Sequence, residues 1–495
     1  MSRSVKPART WRPLALLVAS AFFMENLDGT IVVTATQRMA RSFHVPAADL
    51  NVTIAAYLLT LGIFIPISGW VADRFGARRT FATAIAVFTV ASALCAATSN
   101  LDQLTAMRVA QGLGGAMMVP VGRLVVLRAT TKNDLIDAIA YLTWPALAAP
   151  IIAPAIGGAL TTYASWRWIF IVNIPLGLVA FAIALRIVPE LKATERVALD
   201  WAGFALTATG LAALVGGLEL ITYGGTAWVV IAVILCVGAV LLMGAVFHLS
   251  RSPHPLLDLR LFRIPTFRVT NSGGSCFRMA ISAAPFLLPL LFQEVFGWTP
   301  FAAGLIVGPI FVGNIGVKPF TSWLLRRFGF RTVLVTAGGA VAVTLGLCAA
   351  FRPGFPLAIT VVVLFASGVF RSIGFTAYNT IVFADVPADE IGNANTLTST
   401  IQQLSIGLGV TVGAMALHAG APIGRLLGAG GTGAEPFTVA FVLIALLALL
   451  AAVESARLPG HAGHVLTGPR PGIGEESYVM GTVGGAIVNV PSEAL

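Results

Sequence analysis

The stretch GWVADRFGARR, Gly69 to Arg79, returns in altered form as SWLLRRFGFR, Ser322 to Arg331. Pro66, Trp70, Arg74, Phe75, Gly76 and Arg78 recur as Pro319, Trp323, Arg327, Phe328, Gly329 and Arg331, each 253 residues later and without a gap. Six ungapped identities in so short a window mark an internal repeat, and each copy follows one long apolar run and precedes another. The chain therefore reads as two related halves, and the repeated segment as a short polar turn between membrane spans.

Outward from these turns the chain is almost continuously apolar. Apolar runs lie at approximately 13 to 36, 52 to 72, 80 to 98, 103 to 127, 136 to 162, 167 to 188, 200 to 221, 226 to 249, 267 to 293, 300 to 324, 331 to 351, 357 to 380, 397 to 420 and 436 to 456. Of 495 residues 57% are hydrophobic and 11% charged, and mean hydropathy is +0.88. A soluble chain carries about 25% charged residues. The expectation is an all-α polytopic membrane protein of about fourteen spans, divided into a cytoplasmic N-terminus (1–12), a six-helix bundle (13–188), a linker with two extra helices (189–266), a second six-helix bundle (267–456) and a disordered cytoplasmic tail (457–495).

The net charge of +10 is better explained by topology than by nucleic acid. Alternate connections hold roughly 22 Lys and Arg against about 5 on the other side, which places both termini inside. The dissenting connection follows residue 380 and carries Asp385, Asp389 and Glu390. Cys95, Cys236, Cys276 and Cys348 fall in apolar stretches without metal-ligand spacing. No ATP-binding loop, HExxH or nucleophile elbow is present, and the Gly-rich run Gly428 to Gly433 reads as a flexible external loop. Neither an enzyme nor a bound cofactor is expected.

Ionisable residues inside spans carry the functional signal, since a charge at mid-bilayer costs at least about 2.5 to 3.5 kcal/mol. Glu25 and Asp28 are three apart on the first helix and share a face. Asp28 lies roughly 12 Å, and Arg108 of the fourth helix roughly 8 Å, below their helices' outer ends, depths compatible with pairing. Asp28 can exchange a proton for substrate, with Glu25 as the competing site, or form a permanent ion pair with Arg108. The second half is basic: Arg278, Lys318 and Arg371 could converge on an anionic substrate, although Lys318 could also snorkel to the interface. Gln111, Gln402 and Gln403 offer uncharged polar contacts, and Tyr57 and Tyr378 aromatic walls. In the repeated turn Gly69 permits close helix approach, Asp73 can face a neighbouring helix N-terminus, and Arg74, Gly76 and Arg78 complete a latch between bundles; Arg326 stands in place of Asp73 in the second copy. Pro154, Gly157 and Gly158 read as bending and packing elements of a gate.

With these residues in view, the chain resembles the major facilitator superfamily, and within it the drug:proton antiporter subgroup with fourteen spans. Gly69 to Arg79 matches the superfamily's loop signature. LDGTIV (Leu27 to Val32), RVAQGLGG (Arg108 to Gly115), APIIAPAIGG (Ala149 to Gly158) and WRWIFIVNIPLG (Trp166 to Gly177) are similar to subgroup motifs, with Ala149 and Ala153 where glycines are usual. The resemblance implies a monomeric proton-coupled exporter of small organic compounds in the bacterial inner membrane, a multidrug-efflux type conferring antibiotic resistance. Export of organic anions through Arg278, Lys318 and Arg371 is the alternative, and a non-transporting sensor a remote one.

Overall fold

A computed structural model of the chain describes residues 11–190, 198–223, 227–426, 434–467, 478–483 and 486–491. Helices dominate, as a chain in hydrocarbon must satisfy its backbone polar groups internally. In chain order they are α1 (Trp11–Phe43), α2 (Asn51–Phe75), α3 (Ala77–Ala97), α4 (Leu101–Ala129), α5 (Leu135–Tyr163), α6 (Trp168–Ile187), α7 (Trp201–Tyr223) and α8 (Trp228–Arg251). There follow α9 (Pro265–Glu294), α10 (Pro300–Gly316, continued by Lys318–Phe328), α11 (Phe330–Cys348), α12 (Leu357–Ile381), α13 (Ile391–Leu426) and α14 (Glu435–Ala456). Among the described residues eleven of these are long and apolar enough to cross a membrane, or twelve with the bent α10. The expected count of about fourteen exceeds that figure: α5 does not count among the eleven, and α7 counts only over Trp201–Gly217, shorter than a bilayer.

The repeated turn has a conformational reason. Gly76 sits at φ 95°, ψ 138° between α2 and α3, and Gly329 at φ 74°, ψ 160° between α10 and α11. Side chains rarely adopt this region, so glycine recurs where the chain turns from one helix into the next. The amides of Gly76 and Gly329 donate to Ala72 and Leu325 at 2.9 and 3.0 Å, closing each preceding helix in the same way. The repeated proline acts too. Ile65–Ile67 around Pro66 tightens to a 3-10 turn, and α10 bends by 55° just before Pro319.

Packing within residues 11–187 is repeated within 265–456. Helix α1 packs on α5 and α6, α4 on α2 and α3, and α3 on α6; correspondingly α9 packs on α13 and α14, α12 on α10 and α11, and α11 on α14. Between the two sets α5 meets α10 and α12, while α13 meets α2 and α4. Helices α7 and α8 pair with each other, and α7 lies against α2 and α13.

Beyond Pro459, where disorder is expected, the described residues hold three short elements. His464–Thr467 forms a short helix against the 132–134 turn and Lys318–Phe328, with Leu466 buried. Tyr478–Val483 and Ala486–Pro491 pair as an antiparallel hairpin. Their Val and Ile content favours strands, and Gly484-Gly485 falls between them in sequence. The run Gly428 to Gly433 lies outside the described residues.

Candidate functional site

Two polar centres lie on the first set of helices, and α1 supplies a carboxylate to each. Asp28 is fully enclosed. Its Oδ2 accepts from Arg108 Nη1 at 2.5 Å, and its Oδ1 accepts from Gln111 Nε2 at 2.8 Å and Asn173 Nδ2 at 3.0 Å. Arg108 Nη1 also donates to Gln111 Oε1 at 2.7 Å, Gln111 Nε2 donates to Ser92 Oγ at 2.7 Å, and the Tyr57 ring lies 4.1 Å from the guanidinium. Hydrogen bonds thus tie four helices, α1, α3, α4 and α6, around one charge pair, and Tyr57 of α2 packs on it. Gln111 and Tyr57, expected at the substrate, both lie against this buried pair.

Glu25 faces elsewhere. Three residues on a helix amount to about 60° of net rotation, and Glu25 lines a central cavity of about 200 Å³ that Asp28 does not reach, while its carboxyl and the Tyr57 hydroxyl both lie near Gly115. Its Oε2 is buried without a hydrogen-bond partner. The cavity wall draws on α1 (Phe22, Glu25, Asn26), α4 (Val119, Pro120, Arg123), α5 (Ile139, Leu142, Thr143), α12 (Phe375, Asn379) and α13 (Ser399, Gln402, Gln403, Ile406). The shared face read from spacing is therefore divided: one acid is sealed, the other lines the chamber.

Arg123 lines this cavity and bridges to α13, a position that sequence reasoning missed. Its Nε donates to Asn395 Oδ1 at 2.6 Å, Nη1 to Gln402 Oε1 at 3.1 Å, and Nη2 to the Asn395 carbonyl at 3.3 Å and to Ser399 Oγ. Gln402 in turn donates to Asn379 Oδ1 at 2.6 Å. An arginine inside an apolar run was the available signal, but near the run's end it reads as a topology marker.

The three cations of the second half do not converge on this chamber. Lys318 is buried rather than snorkelling, donating to Thr143 Oγ1 at 3.1 Å and Thr376 Oγ1 at 2.6 Å across the α10, α5 and α12 contact. Arg278 is 1% exposed, and none of its three side-chain nitrogens has a hydrogen-bond partner. Its Nη1 and the Tyr378 ring both lie about 3.1 Å from where a β-carbon at Gly274 would stand. Tyr378 shares its hydroxyl with Ser455 Oγ at 2.7 Å and lies off the cavity wall, as does Arg371.

The repeated turn lies at one end of the molecule, beneath the chamber. A β-carbon on Gly69 would collide with Thr396 of α13. Asp73 pairs with Arg128 at 3.1 Å, and both lie over Gly392 in the first turn of α13. Arg78 Nε donates to the Val188 carbonyl at 2.5 Å, and Arg74 is exposed. Arg74, Asp73 and Asp258 border a shallow pocket, where the Arg260 side chain holds the Asp258 carboxyl below the ordinary carboxylate range. In the second copy Arg326 pairs with Asp137 of α5 at 3.2 Å, and Lys132 Nζ donates to the Ala384 carbonyl at 2.9 Å. The hydrogen bonds that join 11–187 to 265–456 through Pro120, Arg123, Lys132, Asp137 and Thr143 lie at or toward this end. Gly157 of α5 meets Thr34 and Ile31 of α1 with no room for a β-carbon, whereas Gly158 has open space. The side chain of Pro154 falls outside the described residues.

A chamber at the seam of two similarly packed helix sets, closed at one end, is transporter architecture, and comparison with known proteins agrees. The Major Facilitator Superfamily model matches residues 15–410. The chain belongs to the major facilitator superfamily. It is a multi-pass membrane transporter and not an enzyme. It is 36% identical over 444 residues to a protein of Cronobacter sakazakii named "Putative multidrug resistance protein MdtD", covering 90% of this chain and 94% of that one. Proteins of the same name in Klebsiella pneumoniae (37% over 448 residues, 90% and 94% covered) and Escherichia coli (38% over 402 residues, 81% and 85%) are also similar. In fold it matches the human organic anion transporter MFSD10 (TM-score 0.62, 13% identity, 90% and 99% covered) and the proton:xylose symporter XylE (TM-score 0.61, 14%, 90% and 94%).

Proposed function

We propose that this superfamily member is a proton-driven antiporter of the bacterial inner membrane, exporting small organic compounds of the multidrug type by alternating access. In this reading all fourteen helices cross the bilayer with both termini cytoplasmic. Residues 13–188 and 267–456 are two six-helix bundles, and α7 and α8 are inserted between them within 189–266. The recurrence of one packing pattern in both sets supports that division. The end bearing Asp73 is then the cytoplasmic gate, held shut by Arg123, Lys318 and the Arg326–Asp137 pair. In this reading the transporting unit is a monomer.

The observation that carries this reading is Glu25, a carboxyl with an unpartnered oxygen on the wall of a chamber between the bundles. A carboxylate there needs a cation, and a proton or a basic substrate can fill that need in turn. Protonation from outside displaces the substrate, the chamber turns inward, and loss of the proton to the cytoplasm restores affinity. Asp28 and Arg108 remain paired behind it. The relatives' name supports the substrate class. Organic-anion export has less support, because Arg278, Lys318 and Arg371 are all off the cavity wall.

The test is pH-gradient-driven uptake of a cationic dye and of a tricarboxylate into inverted vesicles. Dye accumulation in wild type and a loss of at least about tenfold in Glu25→Gln are expected. Undiminished dye flux in Glu25→Gln, or a carboxylate flux that vanishes in Arg278→Ala, overturns the assignment. No flux of any solute favours a sensor.

A further inference from the structure

The inserted helix α7 closes a second cavity, of about 200 Å³, that the transport cycle as described leaves unused. Leu58 and Gly62 of α2 form one wall, Leu211 and Val215 of α7 another, and α13 between Thr400 and Thr411 the third. The lining is almost wholly apolar. The Thr400 and Thr411 hydroxyls are turned to their own helix, donating to the carbonyls of Thr396 and Gly407 at 3.0 and 3.3 Å. Gly62 and Gly407 face open space, with nothing within 4 Å of where a β-carbon would stand. Gln403 and Ile406 line both this cavity and the central chamber. Ile406 is 43% exposed, although α2 and α7 both pack against its helix. The two cavities therefore adjoin through the α2/α13 seam, and α7 stands on its lipid side.

We infer that α2, α7 and α13 form a lateral subsite for the hydrocarbon portion of an amphiphilic substrate whose polar end occupies the central chamber. Its occupant is chosen by what lines it: apolar walls, no free charge, and one amide, that of Gln403, at the junction with the polar chamber. A substrate partitioned into the bilayer by its apolar part can then lodge head-first beside Glu25 while keeping its chain out of water. Only the placement of a cationic head at Glu25 rests on the function proposed above; the subsite itself rests on the adjoining cavities.

The experiment uses the full-length protein in nanodiscs and a series of alkyltrimethylammonium ions from one to twelve carbons. Each methylene entering the subsite should raise affinity by about fourfold in wild type. Leu211→Trp, which fills the cavity from α7, should flatten that gain to near none per methylene beyond the first few carbons. A dodecyl probe with a terminal diazirine should crosslink wild type within 205–220 and 400–411, a readout that does not depend on any variant folding. A gain per methylene that survives Leu211→Trp, crosslinks confined to other helices, or a phospholipid chain that the probe cannot displace each overturn the subsite. Binding of short cations that depends on Glu25 with no gain from chain length sinks the subsite and spares the cation reading. Chain-length gain with crosslinks in α7 but no effect of Glu25→Gln does the reverse.

Discussion

Glu25 and Asp28 differ by less than one helical turn, yet their surroundings give them opposite sensitivities. Asp28 neutralises Arg108 in a fully enclosed network, so Asp28→Asn leaves a guanidinium buried without its counter-ion. Such a loss costs about 3–5 kcal/mol. Glu25 has an unpaired oxygen, and Glu25→Gln removes no partner that the described residues supply. Thermal unfolding of the purified protein should therefore drop sharply for Asp28→Asn and by less than about 1 kcal/mol for Glu25→Gln, the reverse of their expected order in flux. Arg278 follows the same logic with the sign inverted. A buried guanidinium with no acceptor costs stability, and a shape-matched apolar replacement is often stabilising by about 1–4 kcal/mol where it removes a buried charge. Arg278→Met should raise the melting temperature; a fall would mean that the cation has a partner in the resting protein.

At the scale of elements, the repeated glycines decide how one span turns into the next. Gly76 and Gly329 hold nearly the same conformation, in a region that costs a residue with a side chain of order 1–3 kcal/mol. Gly76→Ala and Gly329→Ala should each destabilise the protein by about that amount, and the double substitution by about the sum, because the turns lie at separate helix junctions. A well-tolerated Gly76→Ala, read by thermal unfolding, would show that the turn relaxes. The copies diverge where they touch the rest of the molecule. Asp73 finds Arg128 of its own set over α13, while Arg326 crosses to Asp137 of the other. One backbone device thus serves two different electrostatic contacts.

For the whole molecule the question is what keeps one end closed. Arg123 is buried and bonded to three side chains of α13, and hydrogen bonds to a charged group are each worth about 1.5–3 kcal/mol. The Arg326–Asp137 pair is 38% and 40% exposed, and such pairs contribute about 0–1 kcal/mol. With spin labels at the exposed positions Arg79 and Arg331, Arg123→Gln should shift the open population of this end by at least about tenfold, and Arg326→Gln by less than about fivefold. Equal effects would place the closing energy at the surface rather than beneath the chamber.

Composition and the 253-residue repeat by themselves determined that this is a helical membrane protein of two related parts, because the bilayer's demand for apolar length is written one span at a time. They also marked Asp28 with Arg108, and the close approach at Gly69, since both follow from residue type and depth along a helix. Tertiary structure alone decided which charges share a space. Glu25 and Asp28 part company through about 60° of rotation, Arg278 and Lys318 stay behind the wall, and Arg123 reaches across to α13 from a place that spacing reads as a helix end. Rotation about a helix axis and the identity of the facing helix are set by packing between segments far apart in the chain, and no local pattern encodes them.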